Sequence, residues 1–182
     1  MFQRPSKHVI LVYSHFQKLY EEMYGNGVIT KMIEGYTDYE ELKELIMSYK
    51  QDGGSFLILD DQLSNLNSDI MKIFFELSHH GNCTVFMISQ NLFFSSRKFR
   101  SISLNSNYLF ILKNPRDQSQ ILSLAKQYLP YRPSFLIEAF QDSIKKPHGY
   151  LCMDFTQNSS DLLRVRSNIL PEEWPMEIYI KN

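Results

Sequence analysis

Four short apolar runs dominate this chain, each about the length of a β-strand: His8–Tyr13, Ser55–Leu59, Thr84–Ile88 and Tyr108–Leu112. None alternates cleanly between apolar and polar residues. A strand with one wet face must alternate, because successive side chains point to opposite faces; a strand covered on both faces reads as a continuous run. The four runs are therefore expected as buried strands of a mostly parallel sheet. Parallel strands need crossovers, usually helical, and helical spacing lies between the runs. Phe16–Tyr24 carries Phe16, Leu19, Tyr20 and Met23, and Asp38–Tyr49 aligns Leu42, Leu45, Ile46 and Tyr49 with Asp38 available as a cap. Ser68–Ser78 aligns Ile70, Ile73, Phe74 and Leu77; Gln118–Tyr128 aligns Ile121, Leu122, Leu124 and Ala125. Strand alternating with helix predicts an α/β fold.

Turn residues fall between these segments: Gly53-Gly54 before the second run, Gly81-Asn82 before the third, Asn114-Pro115 after the fourth. Pro133–Ser143 reads as a further helix and Gly149–Asp154 as a further strand, while the tail, with Pro171 and Pro175, is expected to lie over the surface. At 182 residues, with no internal repeat and no low-complexity linker, a single domain 1–182 is expected, with a core over 8–154 and a tail over 155–182.

Several function classes drop out on composition. Hydrophobic residues at 43% supply enough apolar surface to offset chain entropy, which excludes a disordered chain. Cys83 and Cys152 lie far apart with no C-x-x-C pair, so neither a disulfide scaffold nor a cysteine zinc site is expected. No apolar run nears the ~20 residues needed to span a bilayer, and the N-terminal run is too short for a secretory signal. The expectation is a soluble, intracellular protein with no membrane partner. The net charge of −1 conceals an asymmetry. Glu34–Asp61 holds eight acids against two bases, whereas Leu92–Arg132 holds seven bases against one acid. Such a basic block suits phosphate groups, and equally a solvated face.

The local signal richest in chemistry is Phe56-Leu57-Ile58-Leu59-Asp60-Asp61. It places two carboxylates at the carboxyl end of a buried strand, the edge at which open α/β sheets bind ligands. In P-loop NTPases the first such acid organises Mg²⁺ and a neighbouring acid can polarise the attacking water; the plain alternative is a strand ending in solvated acids. The next run ends in Ser89-Gln90-Asn91, so if the strands are parallel neighbours, Gln90 lies beside Asp60 and Asp61. An amide there, both donor and acceptor, can sense a phosphate or hold a water. Ser78-His79-His80 suits a helix carboxyl end, and because adjacent histidines face different sides no shared metal is expected. Arg97, Arg100 and Arg116 are candidates for stabilising phosphoryl charge, or for simple solvation.

The order of Phe56–Asp61, Ser78-His79-His80, Ile88–Phe93, Arg100–Asn105, Phe110–Asp117, Gly149–Asp154 and Leu163–Arg166 resembles the packaging-ATPase-like proteins of large DNA viruses and Polinton/Maverick elements, within the FtsK–HerA group of P-loop translocases. The resemblance spans roughly residues 8 to 170. It implies a RecA-like P-loop NTPase core, Mg²⁺ and ATP as cofactors, and a homo-oligomeric ring that drives double-stranded DNA. It implies Asp60 as the acid that organises Mg²⁺ through water, Asp61 as the catalytic acid, Gln90 as a polar sensor with Asn91 beside it at the nucleotide, and Arg100 or Arg116 acting on a neighbouring subunit's nucleotide.

One departure from the family stands out. The phosphate loop requires G-x-x-x-x-G-K-S/T, yet the seven glycines are followed by Asn, Val, Tyr, Gly, Ser, Asn and Tyr. In the family this loop and its strand precede the segment matching His8–Tyr13, so the expectation is a chain truncated at its N-terminus. Two readings follow: the C-terminal portion of an ATP-driven DNA translocase, or a non-catalytic remnant or interaction module derived from one. A DNA-binding module using Arg97–Arg132 ranks below both, given the near-neutral charge and the lack of a helix-turn-helix or zinc pattern.

Overall fold

A computed structural model describes residues 6–35, 38–62, 72–90, 97–116 and 119–181. Contacts gather into two compact units, Met1–Ile102 and Ser103–Asn182.

The first unit is a four-stranded parallel sheet in the order β2-β1-β3-β4, built from β1 (His8–Tyr13), β2 (Lys31–Glu34), β3 (Ser55–Asp60) and β4 (Cys83–Ile88). The crossovers are α1 (Lys18–Gly25), α2 (Tyr39–Tyr49) and a third helix, α3, formed by a π-helical turn Ile73–Leu77 that continues into Ser78–His80. Ile10, Val12, Leu57 and Leu59 pack on one face with Leu42 and Ile46 of α2 and Ile73 and Leu77 of α3. On the opposite face, Leu11 and Tyr13 pack with Tyr20 of α1 and Ile29. Two covered faces leave no place for a charged residue between Val9 and Val12, which explains the apolar run there.

Local rules account for the element ends. Asp38 caps α2, its carboxylate accepting from the Glu40 N–H at 2.8 Å. Gly54 adopts φ +79, and a Cβ there would lie 2.3 Å from the Asn82 carbonyl oxygen. That close approach seats the start of β3 beside β4, where the Ser55 N–H donates to the same oxygen at 3.1 Å. The helix expected over Ser68–Ser78 is seen from Lys72 onward, with Ile70 outside the described residues. Its first turn is π-helical, and Ile73 and Leu77, four residues apart, are both buried.

β4 departs from the expectation of two covered faces. Phe86 and Ile88 are 37% and 44% exposed, although Phe86 stacks on Phe56 with ring centroids 6.1 Å apart. Among the described residues β4 ends the strand order, so it has a sheet neighbour on one side only. β2 was not anticipated at all.

The helix α4 (Arg97–Asn105) carries the chain into the second unit. There β5 (Tyr108–Leu112), β6 (Tyr150–Asp154), β7 (Val165–Ser167) and β8 (Glu177–Ile178) form an antiparallel sheet in sequence order. Tyr108–Leu112, expected in the parallel sheet, instead pairs antiparallel with β6, Phe110 opposite Cys152. A continuous apolar run does not encode strand direction, nor full burial here, since of β5 only Ile111 is buried. The tail likewise does more than cover the surface, since it supplies β7 and β8. α5 (Ser119–Tyr128) packs on α6 (Pro133–Ser143), and α6 on β6. Leu124, Ala125, Leu136 and Ala139 are buried, whereas Leu122, expected on the core face, is 41% exposed. Cys83 in the first unit and Cys152 in the second are both free and buried. Among the described residues no helix is long and apolar enough to cross a membrane.

Asp154, at the end of β6, is buried against Arg166, whose Nη2 donates to its Oδ2 at 2.7 Å. The Thr156 hydroxyl and N–H both donate to Oδ1, at 2.6 and 3.0 Å. Burial pushes this carboxyl up, but the Thr156 bonds, Ser159 and the Arg166 charge outweigh it and hold it below the usual range. Arg166→Ala strands a buried carboxylate and is expected to lower unfolding stability by about 3–5 kcal/mol. The native pair favours the ionised acid, so its stabilisation is present above pH of about 4 and lost as pH falls through the native value. Urea melts across the acid range should therefore show the gap between wild type and variant narrowing on acidification.

Candidate functional site

The registers Tyr13↔Asp60 and Asp60↔Ile88 end β1, β3 and β4 at one level. The residues just past these ends collect at the carboxyl edge of the sheet: Ser14 and His15, Asp61 and Gln62, Ser89 and Gln90. β3 and β4 are thus parallel neighbours as anticipated, and Gln90 follows two residues after the partner of Asp60.

A set of hydrogen bonds fixes the turn after β3. Gln62 is 2% exposed, and its Nε2 donates to Ser14 Oγ at 3.0 Å and to the Asp60 carbonyl at 3.4 Å. Ser14 Oγ donates onward to the Asp61 carbonyl at 2.8 Å. Between these anchors Asp61 takes a left-handed backbone, φ 51, which aspartate tolerates better than most side chains. Its N–H donates to the Ile88 carbonyl at 3.3 Å, extending the β3–β4 pairing by one residue. The Asp61 carboxylate is left partly exposed, 3.8 Å from Nδ1 of the exposed His15.

Asp60 is held differently. The Tyr20 hydroxyl of α1 donates to its Oδ2, while Tyr20 packs against Tyr13 with ring centroids 5.4 Å apart. Burial, then the bond to Asp60 and the Asp60 charge, push the Tyr20 phenol up to about 12, so it remains a protonated donor at neutral pH. The other Asp60 oxygen, Oδ1, has no hydrogen bond among the described residues. Two carboxylates with a single oxygen engaged by a neutral donor suit a divalent cation that keeps most of its water, which is how Mg²⁺ is usually bound. Among the described residues no three ligating side chains cluster, so a closed cage is not the arrangement here.

The remaining candidates are placed as follows. Asn91 lies outside the described residues, as does the side chain of Arg100, whose backbone is in α4. Arg116 belongs to the second unit, in the turn after β5, where its N–H donates to Asn114 Oδ1 at 3.0 Å. Within the first unit, then, the sheet edge gathers Asp60, Asp61 and Gln90. Sequence reasoning missed Ser14, Gln62 and the role of Tyr20, which had counted only as part of a helix face. The Gln immediately after Asp60-Asp61 was the available signal.

Tyr20→Phe removes a bond to a charged acceptor and is expected to lower stability by about 1.5–3 kcal/mol. An ultraviolet titration of the same variant should lose one phenol from those ionising near 12. A retained phenol there would place Tyr20 away from Asp60. Compared with protein-family models, curated proteins and solved structures, the chain matches none of them.

Proposed function

We propose that this chain is the C-terminal portion of an ATP-driven double-stranded DNA translocase of the packaging-ATPase-like kind, working as a homo-oligomeric ring on a RecA-like core. The observation that carries the reading is the common level at which β1, β3 and β4 end, which sets Asp60-Asp61 beside the strand leading to Gln90. Open α/β sheets bind nucleotides at this edge. In this reading Asp60, steadied by Tyr20, would hold Mg²⁺ through water, and the ion would supply positive charge at the phosphates. Asp61, partly exposed and with its backbone fixed by the Gln62–Ser14 bonds, orients or deprotonates the attacking water. Gln90 contacts the terminal phosphate or that water, with Asn91 next to it. Arg100 or Arg116 serves a neighbouring subunit's nucleotide.

A second reading rests on an equally specific observation. No glycine in this sequence precedes a lysine, so the chain itself supplies no phosphate-loop motif. A non-catalytic interaction module derived from such an ATPase would need neither Asp60 nor Gln90.

Calorimetry with Mg²⁺·ATP separates the two. The translocase reading expects saturable binding that Asp60→Asn weakens by about ten-fold or more. Where turnover is measurable, Asp61→Asn is expected to abolish hydrolysis and leave ATP affinity nearly unchanged. Binding indifferent to Asp60→Asn, or hydrolysis unaffected by Asp61→Asn, removes these residues from the mechanism and favours the module.

A further inference from the structure

The second unit carries an open cavity of about 380 Å³ lined by Lys113, Lys145, Lys146 and His148 together with the apolar Leu112, Ile144 and Pro147 and with Gly149. The fold brings these residues together. The β5–β6 register sets Leu112 opposite Tyr150, so the residue after β5 and the turn before β6 lie at the same end of the sheet. That turn is tight and fixed. The Gly149 N–H donates to the Lys146 carbonyl at 3.0 Å, and a Cβ at Gly149 would come within 2.2 Å of the Ser143 oxygen. His148, between them, holds a left-handed backbone at φ 61, a conformation found most often where the surroundings impose it.

The charges do not cancel. Lys145 donates to Asp142 Oδ1 at 2.6 Å, and the other oxygen of Asp142 accepts from the Tyr179 hydroxyl at 3.1 Å. Lys146 Nζ stands 3.8 Å from Glu177 Oε1, while Glu177 Oε2 accepts from Ser167 at 3.0 Å and from Tyr179 at 3.3 Å. Lys113 and His148 pair with no acid among the described residues. Lys145 is thus closely paired and Lys146 only loosely, which leaves Lys113 as the ammonium group with no carboxylate partner among the described residues. The carboxyl end of α6 is adjacent to Lys145 and Lys146 and opposes an anion there, so the cationic side chains must outweigh it. Leu112, 62% exposed, gives the cavity an apolar wall beside the charges.

We propose that this cavity binds a phosphate group, with Lys113, Lys146 and His148 as its donors, Lys145 at the rim, and Leu112 and Pro147 against the organic part of the ligand. The phosphate chemistry is the same whether it belongs to a free nucleotide or to a nucleic-acid backbone. The site lies in the other unit from Asp60 and does not depend on the reading given there.

The test uses the full chain, the double variant Lys113→Gln/Lys146→Gln, and two probes: inorganic pyrophosphate by calorimetry and a short labelled DNA duplex by fluorescence anisotropy. Loss of pyrophosphate affinity by about ten-fold or more in the variant assigns the site to a free phosphate. A parallel loss of duplex affinity, or loss for the duplex alone, with the logarithmic salt slope shallower by about 2, assigns it to the backbone. Lys113→Arg/Lys146→Arg should restore binding, and Asp60→Asn should leave it unchanged while weakening Mg²⁺·ATP. If the wild type binds neither probe saturably, or the double variant binds both as well as wild type, the proposal is overturned.

Discussion

The parallel pairing of β1 with β3, from His8↔Ser55 to Tyr13↔Asp60, is the constraint on which the first unit depends. It aligns Ile10, Val12, Leu57 and Leu59 under α2 and α3, and Leu11 and Tyr13 under α1. A slip of one residue would exchange the faces of a strand, and would carry Asp60 away from Tyr20. The pairing also decides the chemistry, because side chains just beyond the strands meet only when the strands end at one level. Gly54 belongs to the same constraint at the opposite edge, where only a residue without a Cβ lets β3 begin so close to Asn82.

Two carboxylates at strand ends have opposite fates. Asp154 is closed in by Arg166 and Thr156, its charge matched by a guanidinium and both oxygens occupied. Asp60 is held by a phenol, which orients the carboxylate without neutralising it. The first arrangement is self-contained and stabilising. The second leaves negative charge at the sheet edge, beside Asp61, for a cation to answer. The difference in partner separates a structural acid from a candidate working one more clearly than the sequence context does, since each ends an apolar strand.

Much of this was legible because burial writes itself into hydropathy. The bounds of β1, β5 and α6, the Asp38 cap, and the adjacency of β3 and β4 all follow from apolar runs, helical spacing and turn residues. Strand direction was not legible in Tyr108–Leu112, because an unbroken apolar run reads the same in either direction of pairing. β2, β7 and β8 are two to four residues long, too short to show a period. The Gln62–Ser14 bonds and the Tyr20 contact join residues about 40 or more apart, which no local pattern encodes. The basic cavity was hidden for the same reason: Lys113 sits in the basic block of the sequence, but its neighbours come from a turn more than thirty positions later.

The two thiols have a consequence for how the molecule can be watched. Cys83 sits in the core of the first unit and Cys152 in that of the second, each on a sheet strand and shielded from solvent. Burial pushes both thiols up, Cys152 to about 11, so neither offers a reactive thiolate while its unit is closed. Modification must then wait for opening, and its rate becomes a clock for that event. With one thiol in each unit, the chain carries its own pair of reporters, able to show whether the two units open together or one before the other.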